Sequence, residues 1–330
     1  MNYQIRLKYS QNFLKDVGLI NTLISISDLN KNDTVLDIGS GHGIIAKELA
    51  KKVKKVIAIE KDKELFEISK KNLQSISNIE VRNQDFLDSK LPKEEYKVFA
   101  NIQFSITSEI TKKLFEDENP PISAYLFMQK EAATRFLGYP LVKESLLSLL
   151  YKPFYTVKIV YNFRREDFNP VRSKDVCLIE FKTKSKPEVY ANAYPLYRDF
   201  VTYALNRWKP NIKLALKGLF SNLQLKILAK NLNFDLESKP TEIEYETWLA
   251  LFREFNKIVP RYKQKQVIGS FAKLSFNQLN MRRINKNNLE NALEQIKLNP
   301  EKPNAWRGNY ENKNDKSSNK RYYMEKNRRR

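Results

Sequence analysis

Val35-Leu36-Asp37-Ile38-Gly39-Ser40-Gly41-His42-Gly43 is the stretch that decides the fold. Its first four residues read as a buried strand of a parallel sheet. The glycines that follow let the backbone turn sharply and approach a ligand closely. A helix is predicted from Ile44 to about Lys52, so the stretch opens a strand–loop–helix unit. Working outward, apolar runs predict further strands at Val56–Glu60, Ile79–Arg82, Tyr96–Ala100 and Ala124–Met128, with later ones at Tyr155–Phe163 and Val176–Phe181. Helical patterns separate them, one over Lys63–Leu73 and another running through Arg135. Such alternation implies an α/β chain with a doubly wound, Rossmann-like sheet.

The loop spacing is G-x-G-x-G, whereas dinucleotide sites that cradle a diphosphate use G-x-G-x-x-G. It also lacks the Lys and Ser/Thr of a phosphate-binding P-loop. Glu60 closes the second strand, where a carboxylate accepts hydrogen bonds from both ribose hydroxyls. Asp85 follows the third and can meet an adenine amino group. A loop with no diphosphate to hold, followed by these two acids, favours S-adenosylmethionine over NAD and makes the sheet that of a class I methyltransferase. His42, the single histidine, is read as a spectator, because methyl transfer from a sulfonium does not require it. Cys177, in a predicted strand, is read as a core residue.

The fourth strand closes on Phe99-Ala100-Asn101-Ile102-Gln103-Phe104, an Asn-x-x-Phe pattern. An adenine amino nitrogen is a poor nucleophile because its lone pair is delocalised into the ring. The Asn101 side-chain oxygen and the Gln103 carbonyl can each accept one of its hydrogens, localising the lone pair as the transition state forms. Phe104 offers a face on which an extruded base stacks. The bland alternative is a strand-ending Asn followed by a packed Phe.

Composition narrows the partners. Lys and Arg number 59 against 38 Asp and Glu, a net charge of +21, which favours a polyanion. Nucleic acid is the first reading, and an anionic membrane the competitor. No apolar run reaches the length of a membrane span and Met1 opens no signal-like segment, so a cytoplasmic protein is expected. One cysteine and one histidine exclude a disulfide framework and the usual zinc sites, and no metal is expected. After Lys186-Pro187 the pattern becomes helical, over Tyr197–Trp208, Ile212–Phe220, Gln224–Ala229 and Glu244–Phe255. From Pro260 onward, 18 Lys/Arg face six Asp/Glu. A helix is possible between Gln278 and Leu298, and the stretch from Glu301 has too few aliphatics to fold unbound. The predicted organisation is therefore 1–186 as the cofactor-binding methyltransferase domain, 187–259 as a small helical RNA-binding lobe, and 260–330 as a basic, partly disordered extension.

Together these motifs resemble the Erm and KsgA family of ribosomal RNA adenine dimethyltransferases. Tyr9-Ser10-Gln11-Asn12-Phe13-Leu14 looks like the family's Q-N-F-L segment, which implies that Gln11, Asn12 and Leu14 pack over the cofactor. Asp37 to Gly43 matches the first motif in the Gly-Ser-Gly form typical of Erm, whereas KsgA proteins carry Gly-Pro-Gly. Met128 to Arg135 is similar to the segment after the fifth strand, and Asp167 to Ser173 resembles F-x-P-x-P/V-x-S, whose aromatic borders the target pocket. The implied cofactor contacts are Gln11, Asn12, Leu14, Gly39, Gly41, Glu60, Lys61, Asp85, Phe86 and Asn101, with Asn101, Gln103 and Phe104 doing the chemistry. The resemblance implies N6-methylation of one adenine in 23S rRNA by a monomer, giving macrolide, lincosamide and streptogramin B resistance. Two departures stand out: Gln103 replaces a usual Pro, and the tail beyond Pro260 extends past the family's end as an RNA-contacting or an inert segment. The rivals are a KsgA-like enzyme on small-subunit rRNA and a non-catalytic nucleic-acid binder on the same scaffold.

Overall fold

The computed structural model describes residues 13–14, 16–171 and 173–280. Gln11, Asn12 and the stretch from residue 281 lie outside the described residues, and so does the predicted disorder of the tail. Two compact units are present, Met1–Ser270 and Phe271–Arg330. In the second, described residues 271–280 are helical. The helices between Tyr194 and Gln264 belong to the first unit, together with the sheet.

In chain order the elements are β1 (Phe13–Leu14), α1 (Val17–Ser25), β2 (Thr34–Ile38), α2 (Ile44–Ala50), β3 (Lys55–Glu60), α3 (Lys63–Leu73), β4 (Ile79–Asn83), β5 (Lys97–Asn101), α4 (Thr107–Phe115) and β6 (Ser123–Gln129). There follow α5 (Lys130–Leu137), α6 (Leu146–Tyr151), β7 (Tyr155–Asn162), β8 (Phe168–Asn169), β9 (Val176–Thr183), α7 (Tyr194–Leu205), α8 (Ile212–Leu216), α9 (Asn222–Asn231), α10 (Tyr245–Ile258) and α11 (Arg261–Gln264). Seven strands form one sheet in the order β4-β3-β2-β5-β6-β9-β7. The first five are parallel, and β9 runs antiparallel to both its neighbours.

The order matters for function. From β2 the chain winds outward through β3 and β4, then returns to place β5 on the other side of β2. Strands β2 and β5 pair directly, Val35 with Lys97 and Leu36 with Val98. The loops that leave their carboxyl ends therefore diverge over a crevice, the switch point at which doubly wound sheets bind ligands.

Burial explains why these strands sit centrally. Val35, Leu36, Val98, Phe99 and Leu126 are at most 1% exposed, as expected where both faces of a sheet are covered. Phe127 lies edge-on to Phe99 at 5.6 Å and stacks on Phe163 at 5.0 Å, and Phe163 meets Phe168 at 5.2 Å. A second aromatic core holds the helical region, where Phe200 packs on Phe255 at 4.8 Å and on Trp248 at 6.0 Å. The Tyr197 hydroxyl donates to the Leu149 carbonyl at 2.8 Å, tying α7 to α6.

The helical expectations shift at their ends. The helix expected to reach Trp208 stops at Leu205, and Trp208 turns into the left-handed region at φ +52. The one expected to reach Phe220 ends at Leu216. Helices α1, α4 and α6 had not been anticipated; α1 is started by Asp16, whose carboxylate accepts from the Gly18 amide at 2.7 Å. Strands β1 and β8 are two residues each and pair only with one another, too short to leave a periodic signal.

Candidate active site

An open cleft lies where the loops after β2, β3, β4 and β5 converge. It is lined by Gly39, Gly41, Glu60, Lys61, Asp85 and Phe86 on one side, and by Asn101, Gln103 and Phe104 on the other. Nine of the residues expected at the site thus share one cavity. Leu14 is not in its lining: it is 3% exposed within the hydrophobic core and pairs with Phe168. Phe168, expected beside the target pocket, is itself fully buried in that core. His42 does not line the cleft either, and Cys177 is buried in the sheet, where burial pushes its thiol up to about 11.

The glycine loop is shaped by its backbone. Gly39, Gly41 and Gly43 take φ of +72, +56 and +82. At Gly43 a β-carbon would come within 2.8 Å of both Leu73 Cδ1 and Ser69 Oγ, so α3 packs against the loop only because no side chain is there. Across the crevice, a β-carbon on Gly39 would stand 4.0 Å from the Asn101 carbonyl.

Glu60 holds this loop in place. One carboxylate oxygen accepts from the Gly41 amide at 2.8 Å and the other from the Asp62 amide at 2.9 Å. Each oxygen keeps a further lone pair, so the carboxylate can still accept from a ligand diol. Asp85 accepts from the Leu87 amide at 2.9 Å and from Lys61 at 2.6 Å. That lysine contact, more than any other influence, holds the Asp85 carboxyl below its usual range. With apolar walls from Ile59, Leu65, Phe86 and Ile110, the two acids and the glycine loop fit a nucleoside-bearing cofactor.

Beneath the loop, Asp37 is 1% exposed, and only the Ala46 amide stands near enough to favour its charged form. Burial, with the negative charge of Glu60 added, raises its pKa to about 8. The unfolded chain releases this proton near pH 4. Between these values the folded state binds the proton more tightly at this group, so the contribution of Asp37 to stability falls as pH rises through the window. Asp37→Asn should therefore flatten the decline: in cofactor-free protein its melting temperature is expected to match wild type near pH 4 and exceed it by several degrees at pH 9. Parallel pH profiles of the two proteins would refute this.

The loop after β5 carries the second half of the site. Gln103 sits at φ −70 and ψ 120, and its carbonyl accepts from the Ile106 amide at 3.2 Å, opening a short 3-10 turn over Phe104–Ile106. One lone pair of that carbonyl is therefore taken. The neighbouring carbonyl of Ile102, which also lines the cleft, accepts no hydrogen bond among the described residues. Asn101 and Phe104 are half-buried, and Gln103 is exposed. The absent proline costs this loop little geometry, because Gln103 already holds the φ that a proline ring imposes. Gln103→Pro is expected to keep the activity and raise the melting temperature by a few degrees, through a less free unfolded chain. A fall in either would show that the amide of Gln103 matters.

Residues not anticipated at the cleft are mostly apolar: Ile38, Ile59, Leu65, Ile102, Ile106 and Ile110. At strand ends they read as core, and Ile110 lies on the unanticipated α4. Gln84 was signalled only by its place between β4 and Asp85. Among the described residues, no group of three His, Cys, Asp or Glu could hold a metal ion, and no helix is long and apolar enough to cross a membrane.

A profile of ribosomal RNA adenine dimethylases matches residues 2–257. The chain belongs to that family. This dimethylase-family enzyme is 29% identical over 259 residues to an rRNA adenine N-6-methyltransferase of Bacillus licheniformis, covering 77% of this chain and 88% of the relative. It is 32% identical over 250 residues to a ribosomal RNA small subunit methyltransferase A of Mycoplasmopsis synoviae, covering 74% and 95%. The crystal structure of the 23S rRNA methyltransferase ErmE matches with a TM-score of 0.68 at 25% identity, covering 74% of this chain and 99% of that one. The expected fold and reaction class, methylation of rRNA adenine, are those of the family. Against the rival of a non-catalytic binder stand the names of these relatives, which are those of methyltransferases.

Proposed function

We propose that this enzyme methylates N6 of one adenine in 23S rRNA with S-adenosylmethionine as donor, and so confers resistance to macrolides, lincosamides and streptogramin B. The observation that carries the chemistry is a single cleft holding Glu60 and the glycine loop beside Asn101, Gln103 and Phe104. S-adenosylmethionine, when bound, supplies an electrophilic methyl on a sulfonium. Glu60 would take the ribose hydroxyls and Asp85 the cofactor's adenine amino group. On the other side, the Asn101 side-chain oxygen accepts one hydrogen of the target NH2. A backbone carbonyl accepts the other, Ile102's being the freer and Gln103's keeping one lone pair. Two acceptors without a donor localise the nitrogen lone pair, and Phe104 stacks the extruded base. A cytoplasmic monomer suits this role.

The 23S assignment draws on the Gly39-Ser40-Gly41 form of the loop, on the relatives named rRNA adenine N-6-methyltransferase and on the likeness to ErmE. A small-subunit target is the second reading, favoured by the 32% identity to a small subunit methyltransferase A. Primer extension on 23S and 16S rRNA from cells with and without the protein separates them. A new stop in 23S rRNA with gained macrolide resistance is expected, and a signal confined to 16S rRNA would overturn the assignment. For the basic tail, removal of residues 301–330 is expected to weaken rRNA binding and flatten its dependence on salt. Unchanged affinity and slope would make that segment inert.

A further inference from the structure

Trp208 is 92% exposed, far more than any other large apolar side chain among the described residues. An indole in water leaves a large apolar face unused, which marks a contact surface. The backbone beneath it is unusual as well. Trp208 holds φ +52, a region that bulky side chains rarely adopt, and every residue from Asn206 to Pro210 is exposed. The turn thus presents the indole to solvent, and Pro210 restricts the conformations open to the adjoining Lys209.

The charges around it share one sign. Arg207 lies over the Tyr203 ring, 4.6 Å from its centroid, and donates a hydrogen bond to the Tyr203 hydroxyl. A β-carbon on Gly218 would meet Tyr203 Oη at 2.9 Å and Arg207 Nη1 at 4.0 Å, which brings the end of α8 and the adjacent Lys217 to the same corner. Lys213, one turn back on α8, pairs with Glu237. Among the described residues, Arg207, Lys209 and Lys217 have no carboxylate within ion-pair distance. Their charge is left for an outside anion, and the Tyr203 stack pre-orders the guanidinium so that less freedom is lost on contact.

We propose that this corner is a docking foot for rRNA. Trp208 stacks on an unpaired base outside the methylation cleft, while Arg207, Lys209 and Lys217 neutralise the flanking phosphates. A base face satisfies the indole and a phosphate chain satisfies the three cations, a combination that single-stranded RNA provides. The inference rests on rRNA being the substrate, and it adds a contact by which the helical region would hold that RNA.

The test uses the full-length chain with deproteinised 23S and 16S rRNA. Methyl incorporation by the wild-type protein shows which RNA is the substrate and so checks the functional reading by itself. Binding to that RNA then checks the foot. Trp208→Gly suits the left-handed backbone, so any loss cannot be laid to strain. It is expected to weaken binding about tenfold while S-adenosylmethionine affinity stays as in wild type. Trp208→Phe should recover most of the loss. Neutralising Arg207, Lys209 and Lys217 to Gln together should lower the slope of log K against log salt by about two to three. In a Trp306→Phe background the buried Trp248 contributes a constant signal, and RNA should quench Trp208 emission. Unchanged affinity in Trp208→Gly, no recovery in Trp208→Phe, or an unchanged salt slope in the triple variant would each overturn the proposal. So would a defect seen with intact ribosomal subunits but absent with naked RNA, which would point to a ribosomal protein.

Discussion

Replacing Asn101 with alanine is expected to lower methyl transfer at least a hundredfold while the dissociation constant for S-adenosylmethionine changes less than tenfold. The side-chain oxygen is assigned to one hydrogen of the target amino group, an interaction that strengthens only as the nitrogen becomes nucleophilic. Loss of one such aligned group typically costs about 2.7–4 kcal/mol of transition-state stabilisation. Asn101 closes β5, a strand buried from Lys97 to Ala100, so truncation at its edge should leave the fold intact. Methyl incorporation into rRNA under single-turnover conditions, paired with calorimetry for the cofactor, separates chemistry from binding. A fully active alanine variant would contradict the assignment outright.

Glu60→Ala is the second large effect, and its signature is the reverse. Glu60 is 5% exposed and accepts from two loop amides, so removing the carboxylate leaves both donors without their partner. Each such loss costs about 1–3 kcal/mol, and the variant should melt several degrees lower. Cofactor affinity should fall about a hundredfold on top of that, because the loop loses its tie and the ribose its acceptor. Glu60→Gln, which keeps an acceptor oxygen, should lie between the two. If calorimetry finds undiminished affinity in the alanine variant, Glu60 supports the loop and nothing more.

Much of this was legible in the sequence because the central strands are short, apolar and punctuated. Val35–Ile38 and its glycines stand at the switch point and carry both strand and ligand signals at once. The acids at 60 and 85 and the Asn-x-x-Phe pattern sit where strands end, which is where a parallel sheet presents chemistry. What could not be read was how the groups bond to each other. No spacing rule shows that Lys61 reaches Asp85, or that the Gln103 carbonyl is engaged by Ile106. The burial of the Leu14 and Phe168 side chains was hidden for a related reason: an apolar residue near a motif looks the same whether its side chain faces a ligand or a core. The left-handed turn at Trp208 escaped notice because helical periodicity carries past a helix end that only backbone geometry reveals.

Because the proposed donor and acceptor pockets hang from β2 and β5, two strands laced edge to edge, their alignment inherits the stiffness of a hydrogen-bonded ladder. The exposed corner at Trp208, proposed above as an RNA contact, belongs to neither strand and can change without disturbing it. A scaffold so divided can be redirected by natural selection from one ribosomal subunit to the other while its reaction stays constant. Relatives of this chain carry both an rRNA adenine N-6-methyltransferase name and a small-subunit one.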